Sequence, residues 1–244
     1  MKLLYFIFIF YGFIGLYSFA TRKYRNPFKL IMIFGKKGSG KSTLLVKEAL
    51  KYKKKGYDIW TNMKDLQIDG CHYFDPLCLG QYSPGPKSAL FIDEVGMIWD
   101  ARHFKEFKDY QRDWFKLQRH YHCVVFLASQ TWDIDAKLRA LTDKMYLVVN
   151  VATVFSVAKA IRRSIVLTES TSEAESRISE NLKFRSFWNW KYTFIPKYAK
   201  YFQSFNAPAL ELPPSTTFMA EPTHGAQDPR RLPSIHFRKK VISK

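Results

Sequence analysis

Lys41 and Ser42 close the run Gly35-Lys36-Lys37-Gly38-Ser39-Gly40-Lys41-Ser42-Thr43, which is entered from the apolar stretch Leu30–Phe34 and followed by Leu44, Leu45 and Val46. A strand that stops at Gly35 and a helix that starts near Lys41 leave a glycine-lined turn. Its backbone N–H groups converge on one anion, with the positive helix end behind them. The spacing GxxxxGK followed by Ser or Thr makes that anion a triphosphate. Gly35, Lys36, Lys37, Gly38, Ser39, Gly40, Lys41, Ser42 and Thr43 are expected to cradle ATP, with Lys41 bridging the outer phosphates and the Ser42 hydroxyl holding Mg2+.

A second set of residues bears on hydrolysis. In Ser88-Ala89-Leu90-Phe91-Ile92-Asp93-Glu94 apolar residues run into two carboxylates, as a buried parallel strand does when it ends at the ligand crevice of a doubly wound sheet. Asp93 is expected to share the Mg2+ shell with Ser42. Glu94 is expected to polarise a water beyond the terminal phosphate. A third strand, His122-Cys123-Val124-Val125-Phe126-Leu127-Ala128-Ser129, ends at Gln130. The Gln130 amide can donate to a phosphate oxygen and accept from water, which suits a sensor of the terminal phosphate, or it can simply cap the strand.

The elements that must hold these groups are legible in outline. Leu44, Leu45, Ala49 and Leu50 recur at helical spacing and Gly56 supplies a stop, which predicts the helix behind the phosphates. Residues 57–62 read as a strand. Residues 65–87, rich in Gly, Pro and Asp, read as an irregular connection. Over residues 103–120, Phe104, Phe107, Tyr110, Trp114 and Phe115 alternate with charges as in an amphipathic helix whose aromatic stripe packs on the core. A short helix is expected over residues 133–141 and a strand over 145–151, completing a five-stranded parallel core. Residues 153–167 read as a hairpin or added strands, and residues 169–180 as a polar loop. The fold class is therefore α/β: a P-loop NTPase with a mainly parallel doubly wound sheet, preceded by an N-terminal transmembrane helix.

That last element rests on residues 3–20, which carry no charge and approach the roughly 20 residues needed to cross a bilayer. Arg22, Lys23 and Arg25 follow at once, so the positive-inside bias keeps the ATPase domain in the cytoplasm, beneath a host inner membrane. A cleaved signal peptide would put the domain where ATP is absent. The net charge of +18, from 39 Lys and Arg against 21 Asp and Glu, favours a polyanion or an anionic membrane surface as a further partner. The three cysteines show neither metal-ligand spacing nor an even count, so no structural metal and no disulfide framework are expected. Boundaries are expected at 1–26 for the anchor and basic segment, 27–168 for the ATPase domain, 169–204 for a basic aromatic extension and 205–244 for a flexible Pro-rich tail.

Together Gly35 to Thr43, Phe91-Ile92-Asp93-Glu94-Val95, Gln118-Arg119-His120 ahead of a strand, Ser129-Gln130, Asp133-Ile134-Asp135 and Leu138-Arg139-Ala140-Leu141 resemble the zonular occludens toxin (Zot) family, the gene I-type assembly ATPases of filamentous phage. The resemblance covers about residues 29–151. It implies an inner-membrane ATPase that drives assembly and extrusion of a single-stranded DNA virion, with coat proteins and single-stranded DNA as partners. Family members commonly place the membrane span after the ATPase domain, whereas here the apolar stretch comes first. ATPases of this type often complete the site with an arginine from a neighbouring subunit, which implies a homo-oligomer. Arg119 is the first candidate, with Arg102 and Arg139 behind it, and a surface salt bridge is the competing role for Arg119. A small-molecule kinase, a plasmid-transfer or DNA-packaging ATPase and a nucleotide-gated membrane scaffold share the same loop chemistry.

Overall fold

Three runs of apolar residues, Leu30–Phe34, Ser88–Ile92 and Val124–Ser129, are buried at every position, which requires cover on both faces of the sheet they form. The computed structural model describes residues 2–99, 107–131, 134–168 and 177–202. The tail expected at 205–244, Arg102, Phe104 and Asp133 lie outside the described residues. The described part belongs to a single unit that runs to Phe202.

In chain order the elements are α1 (Lys2–Ala20), β1 (Leu30–Phe34), α2 (Lys41–Lys54), β2 (Asp58–Thr61), β3 (Cys71–Tyr73), β4 (Ser88–Ile92), α3 (Val95–Ile98), α4 (Asp109–Leu117), β5 (Val124–Ser129), α5 (Ala136–Ala140), β6 (Lys144–Val151), β7 (Phe155–Thr168), β8 (Arg177–Phe184), β9 (Lys191–Phe194) and α6 (Ile195–Ala199). One sheet holds all the described strands in the order β3-β2-β4-β5-β1-β6-β7-β8, with β9 also paired to β7. From β3 to β6 every pairing is parallel, while β7 runs antiparallel to β6, β8 and β9.

Alternation along each strand sends side chains to two cores. Ile31, Ile33, Ala89, Phe91, Val124, Phe126 and Ala128 pack beneath α2, with Leu44, Leu45 and Ala49. Leu30, Met32, Leu90, Ile92, Val125 and Leu127 pack on the opposite face with Trp99, Trp114, Phe115 and Leu138. Of the expected aromatic stripe, Trp114 and Phe115 of α4 pack in this core and Phe107 packs partly buried against it, while Tyr110 is exposed. Gln111 on the same helix is fully buried and satisfied: its carbonyl accepts from Trp99 Nε1 at 3.3 Å and its amide donates to the Leu77 carbonyl at 2.8 Å.

Three differences from the sequence reading have simple causes. The connection over residues 65–87 is not wholly irregular, because Cys71–Tyr73 adds an edge strand and makes the parallel part six-stranded rather than five-stranded. Three residues flanked by Gly and Pro give no periodic signal. The expected polar loop over 169–180 enters β8 at Arg177, with 169–176 outside the described residues. Finally, among the described residues no helix is long and apolar enough to cross a membrane. α1 runs 19 residues, Lys2–Ala20, about 28 Å of helix beside roughly 30 Å of hydrocarbon, and carries the side chains of Tyr5 to Ala20. They are apolar on all sides and exposed, Phe6 to 75% and Phe19 to 74%.

Candidate functional site

The phosphate-loop sequence occupies the turn between β1 and α2. Gly40 precedes α2 at φ +92, a left-handed conformation, and a Cβ there would stand 2.8 Å from Ser156 Cβ on β7. At Gly35 a Cβ would stand 2.6 Å from both Ser39 Oγ and the Val148 carbonyl. Neither position admits a larger residue without displacing backbone or its neighbours. Ser39 is buried within the turn and its hydroxyl has no hydrogen-bond partner among the described residues. Lys41 folds back on the turn, donating to the Gly35 carbonyl at 2.8 Å and the Lys36 carbonyl at 3.0 Å. Burial holds the Lys41 pKa below its ordinary value, while Asp93 and Glu94 pull it the other way. Its ammonium is thus held by two carbonyls that an anion can replace. Thr43 points into the core and is buried.

β5 lies between β1 and β4, yet Ser42 and Asp93 meet across its tip: Ser42 Oγ donates to Asp93 Oδ2 at 2.6 Å. Asp93 Oδ1 accepts the Glu94 N–H at 2.9 Å. Glu94 sits at φ 53, ψ 41, left-handed backbone that is uncommon for a residue with a side chain, and its exposed carboxylate accepts from Gln130 Nε2 at 3.1 Å. The structure therefore gathers Lys41, Ser42, Asp93, Glu94 and Gln130 at one end of the sheet. Arg119 is not among them. It lies in the turn before β5, and the register Leu30↔Val125, Phe34↔Ser129 puts that turn at the opposite pole from the loop, about 17 Å of strand away.

The paired oxygens of Ser42 and Asp93 are the hard donors that Mg2+ takes, and the Asp93 carboxylate is nearly buried. The residues present fit the ion. Burial raises the Asp93 pKa above the ordinary carboxylate value, opposed by the Ser42 and Glu94 hydrogen bonds. A raised folded value means that the folded chain binds more protons than the unfolded one between the two pKa values. Asp93 therefore costs the metal-free protein stability as pH rises from about 4, fully so above the folded value. Asp93→Asn is expected to raise the thermal midpoint of the nucleotide-free protein at neutral pH and to flatten its decline above pH 4. Superimposable midpoint-versus-pH curves for the two proteins would show that Asp93 carries no such cost.

Asn62, just after β2, carries no motif and sequence reasoning missed it. Its amide oxygen accepts the Asp93 N–H at 2.8 Å and its Nδ2 donates to the Asp93 carbonyl at 2.9 Å, so the peptide that aims the carboxylate is clamped from both sides. Asn62→Ala leaves both groups without a protein partner and is expected to destabilise by about 1–3 kcal/mol, with weakened Mg2+-dependent nucleotide binding. Chemical denaturation and nucleotide titration measure the two effects separately.

Residues 74–186 match the family described as Zonular occludens toxin (Zot). The match contains Asp93, Glu94 and Gln130 and begins after the phosphate loop, whose assignment stands on its own geometry. The crystal structure of the N-terminal domain of zonular occludens toxin from Neisseria meningitidis is similar at 17% identity, covering 72% of this chain and 99% of that one with a TM-score of 0.48. The genome packaging NTPase B204 from Sulfolobus turreted icosahedral virus 2, in complex with AMPPCP, is similar at 16% identity over 50% of this chain and 75% of that one, TM-score 0.39. The flagellar accessory protein FlaH from Methanocaldococcus jannaschii is similar at 13% identity over 54% and 77%, TM-score 0.38. No curated protein sequence matches the chain.

Proposed function

We propose, from the premise that this chain belongs to the zonular occludens toxin family through the domain at residues 74–186, that it is a membrane-anchored ATPase powering the assembly and extrusion of filamentous single-stranded DNA virions. The observation that carries the enzymatic part is the 2.6 Å contact between Ser42 and Asp93, with Glu94 next in the chain and Lys41 at the foot of the same helix. On ATP binding, Lys41 exchanges the Gly35 and Lys36 carbonyls for the outer phosphates, and the loop N–H groups hold the rest of the chain of charges. Ser42 and Asp93 would hold Mg2+, which when bound would supply charge neutralisation to the phosphate oxygens. Glu94 takes the proton of the attacking water as the water oxygen bonds to the terminal phosphorus and the bridging P–O bond breaks, releasing ADP and phosphate, and Gln130 positions Glu94 from the tip of the intervening strand.

The anchor reading is supported by the uncharged residues 3–20, by their exposure on every side of α1, and by the basic residues that follow. Arg119 is exposed at the pole away from its own loop, so its part in this reading is the one the family implies, completing the site of a neighbouring subunit in a homo-oligomer. Coat proteins and single-stranded DNA are the partners the family implies. The test is ATP turnover by the full chain with and without single-stranded DNA or coat protein, beside retention in alkaline-washed membranes. Stimulated hydrolysis and a chain that stays in the pellet are expected. Nucleotide binding with no hydrolysis under any of these conditions would replace the motor with a nucleotide-gated scaffold.

A further inference from the structure

At the base of the sheet, remote from the phosphate loop, a cleft of about 520 Å³ is lined by Arg25, Lys29, Lys51, Lys144 and Lys191, with Glu48 the one acidic lining residue among the described residues. We infer that this cleft binds the phosphate of an anionic phospholipid headgroup. The inference rests on the anchoring role of α1 proposed above and adds to it a specific lipid site.

Charge is the first ground. Glu48 is almost fully buried and its Oε1 is taken by Lys191 at 2.7 Å, leaving Lys51 at 3.8 Å from Oε2. Lys29 is paired outside the lining with Asp143 at 3.2 Å. Arg25 and Lys144 add two further positive charges. Burial, together with the nearby Lys51 and Lys144, depresses the Lys191 pKa against the pull of Glu48. The crowded cations therefore leave an excess of positive charge that a phosphate monoanion or dianion would relieve.

Position is the second ground. Arg25 Nη2 donates to Ser18 Oγ at 2.9 Å, in the last turn of α1. The other walls are the residue that precedes β1, the late turns of α2 and the first residue of β6. The cleft thus opens where the apolar helix ends, the level at which headgroups lie if α1 is in the bilayer. Size is the third. The volume suits one headgroup, whereas single-stranded nucleic acid is held in grooves that follow at least about four nucleotides.

The test uses the full chain in neutral detergent, offered equal amounts of phosphatidylglycerol and phosphatidylcholine, with retained lipid read by native mass spectrometry. Retention of phosphatidylglycerol by at least about tenfold over phosphatidylcholine is expected, falling to parity in Lys51→Glu/Lys144→Glu. The milder Lys51→Gln/Lys144→Gln pair, which leaves the charges absent rather than reversed, should fall in the same direction and guards against a folding defect. Equal retention by the wild-type chain, or an unchanged preference in both variants, overturns the site. So does displacement of the lipid by glycerol phosphate, which would make free phosphate the ligand, or by an oligothymidylate, which would make it nucleic acid. Alkaline extraction separates this from the anchor: a chain that stays in the pellet without lipid preference sinks the cleft alone, and one that is released with its preference intact sinks only the anchor.

Discussion

Glu94→Gln is expected to slow ATP turnover by about 10²–10⁴-fold while ATP still binds. The amide has the shape of the carboxylate and keeps an oxygen to accept from Gln130, as Glu94 does at 3.1 Å, but it cannot take a proton from water. The phosphate contacts proposed for Lys41, Ser42 and the loop N–H groups do not involve this side chain, so the dissociation constant for ATP should stay within a few-fold. Steady-state hydrolysis and equilibrium binding on the same preparation read the two quantities. Turnover at the wild-type rate would remove Glu94 from the reaction and leave the base to be sought elsewhere. The left-handed backbone at Glu94, φ 53, gives a second reading: Glu94→Gly relieves that conformation, so it should fold at least as well as Glu94→Gln and hydrolyse as poorly.

Phe91→Ala is expected to cost about 3–5 kcal/mol of folding stability. Phe91 is wholly buried on the face beneath α2 and stacks on Phe126 with ring centroids 4.9 Å apart and planes 11° from parallel. Tyr52 of α2 meets both rings edge-on, at 6.4 and 5.6 Å. Truncation leaves a void between two central strands and the helix that carries the phosphate loop, where neighbours on three sides cannot collapse together. For a unit of this size the loss corresponds to a fall in the thermal midpoint of roughly 6–20 °C. Phe91→Leu, which keeps most of the volume, should lose much less, and a midpoint fall no larger for Ala than for Leu would show that the stack contributes little.

How far the site could be read from the chain depended on how local each cause was. The phosphate loop was legible because strand, glycine turn and helix follow one another within Leu30 to Lys54, and no distant partner is needed to specify them. Asp93 and Gln130 were legible as strand ends. The meeting of Asp93 with Ser42 and of Gln130 with Glu94 follows from the parallel order β4-β5-β1, which places three carboxyl ends side by side. Asn62 was not legible, since a single polar residue after a strand has no signature until its two bonds to the Asp93 peptide are seen. β9 was hidden for a similar reason: four residues, Lys191–Phe194, gain their place through β7 and through a part-buried ion pair with Glu48, 143 positions away. Arg119 shows the converse. Its motif is readable, but only the strand register reveals that it points away from its own loop.

The ties between α2 and the late strands carry a practical lesson for anyone trimming this chain. Lys47 donates to the Tyr192 carbonyl, Lys191 neutralises Glu48, and Gly40 leans on Ser156. A fragment cut after Val151, where the resemblance by motif ends, would expose the flank of α2 and leave the Glu48 carboxylate with the longer, 3.8 Å pairing to Lys51 in place of its 2.7 Å contact with Lys191. The smallest piece worth expressing extends to Phe202, and a shorter one that failed to hydrolyse ATP would say nothing about the chemistry of the loop.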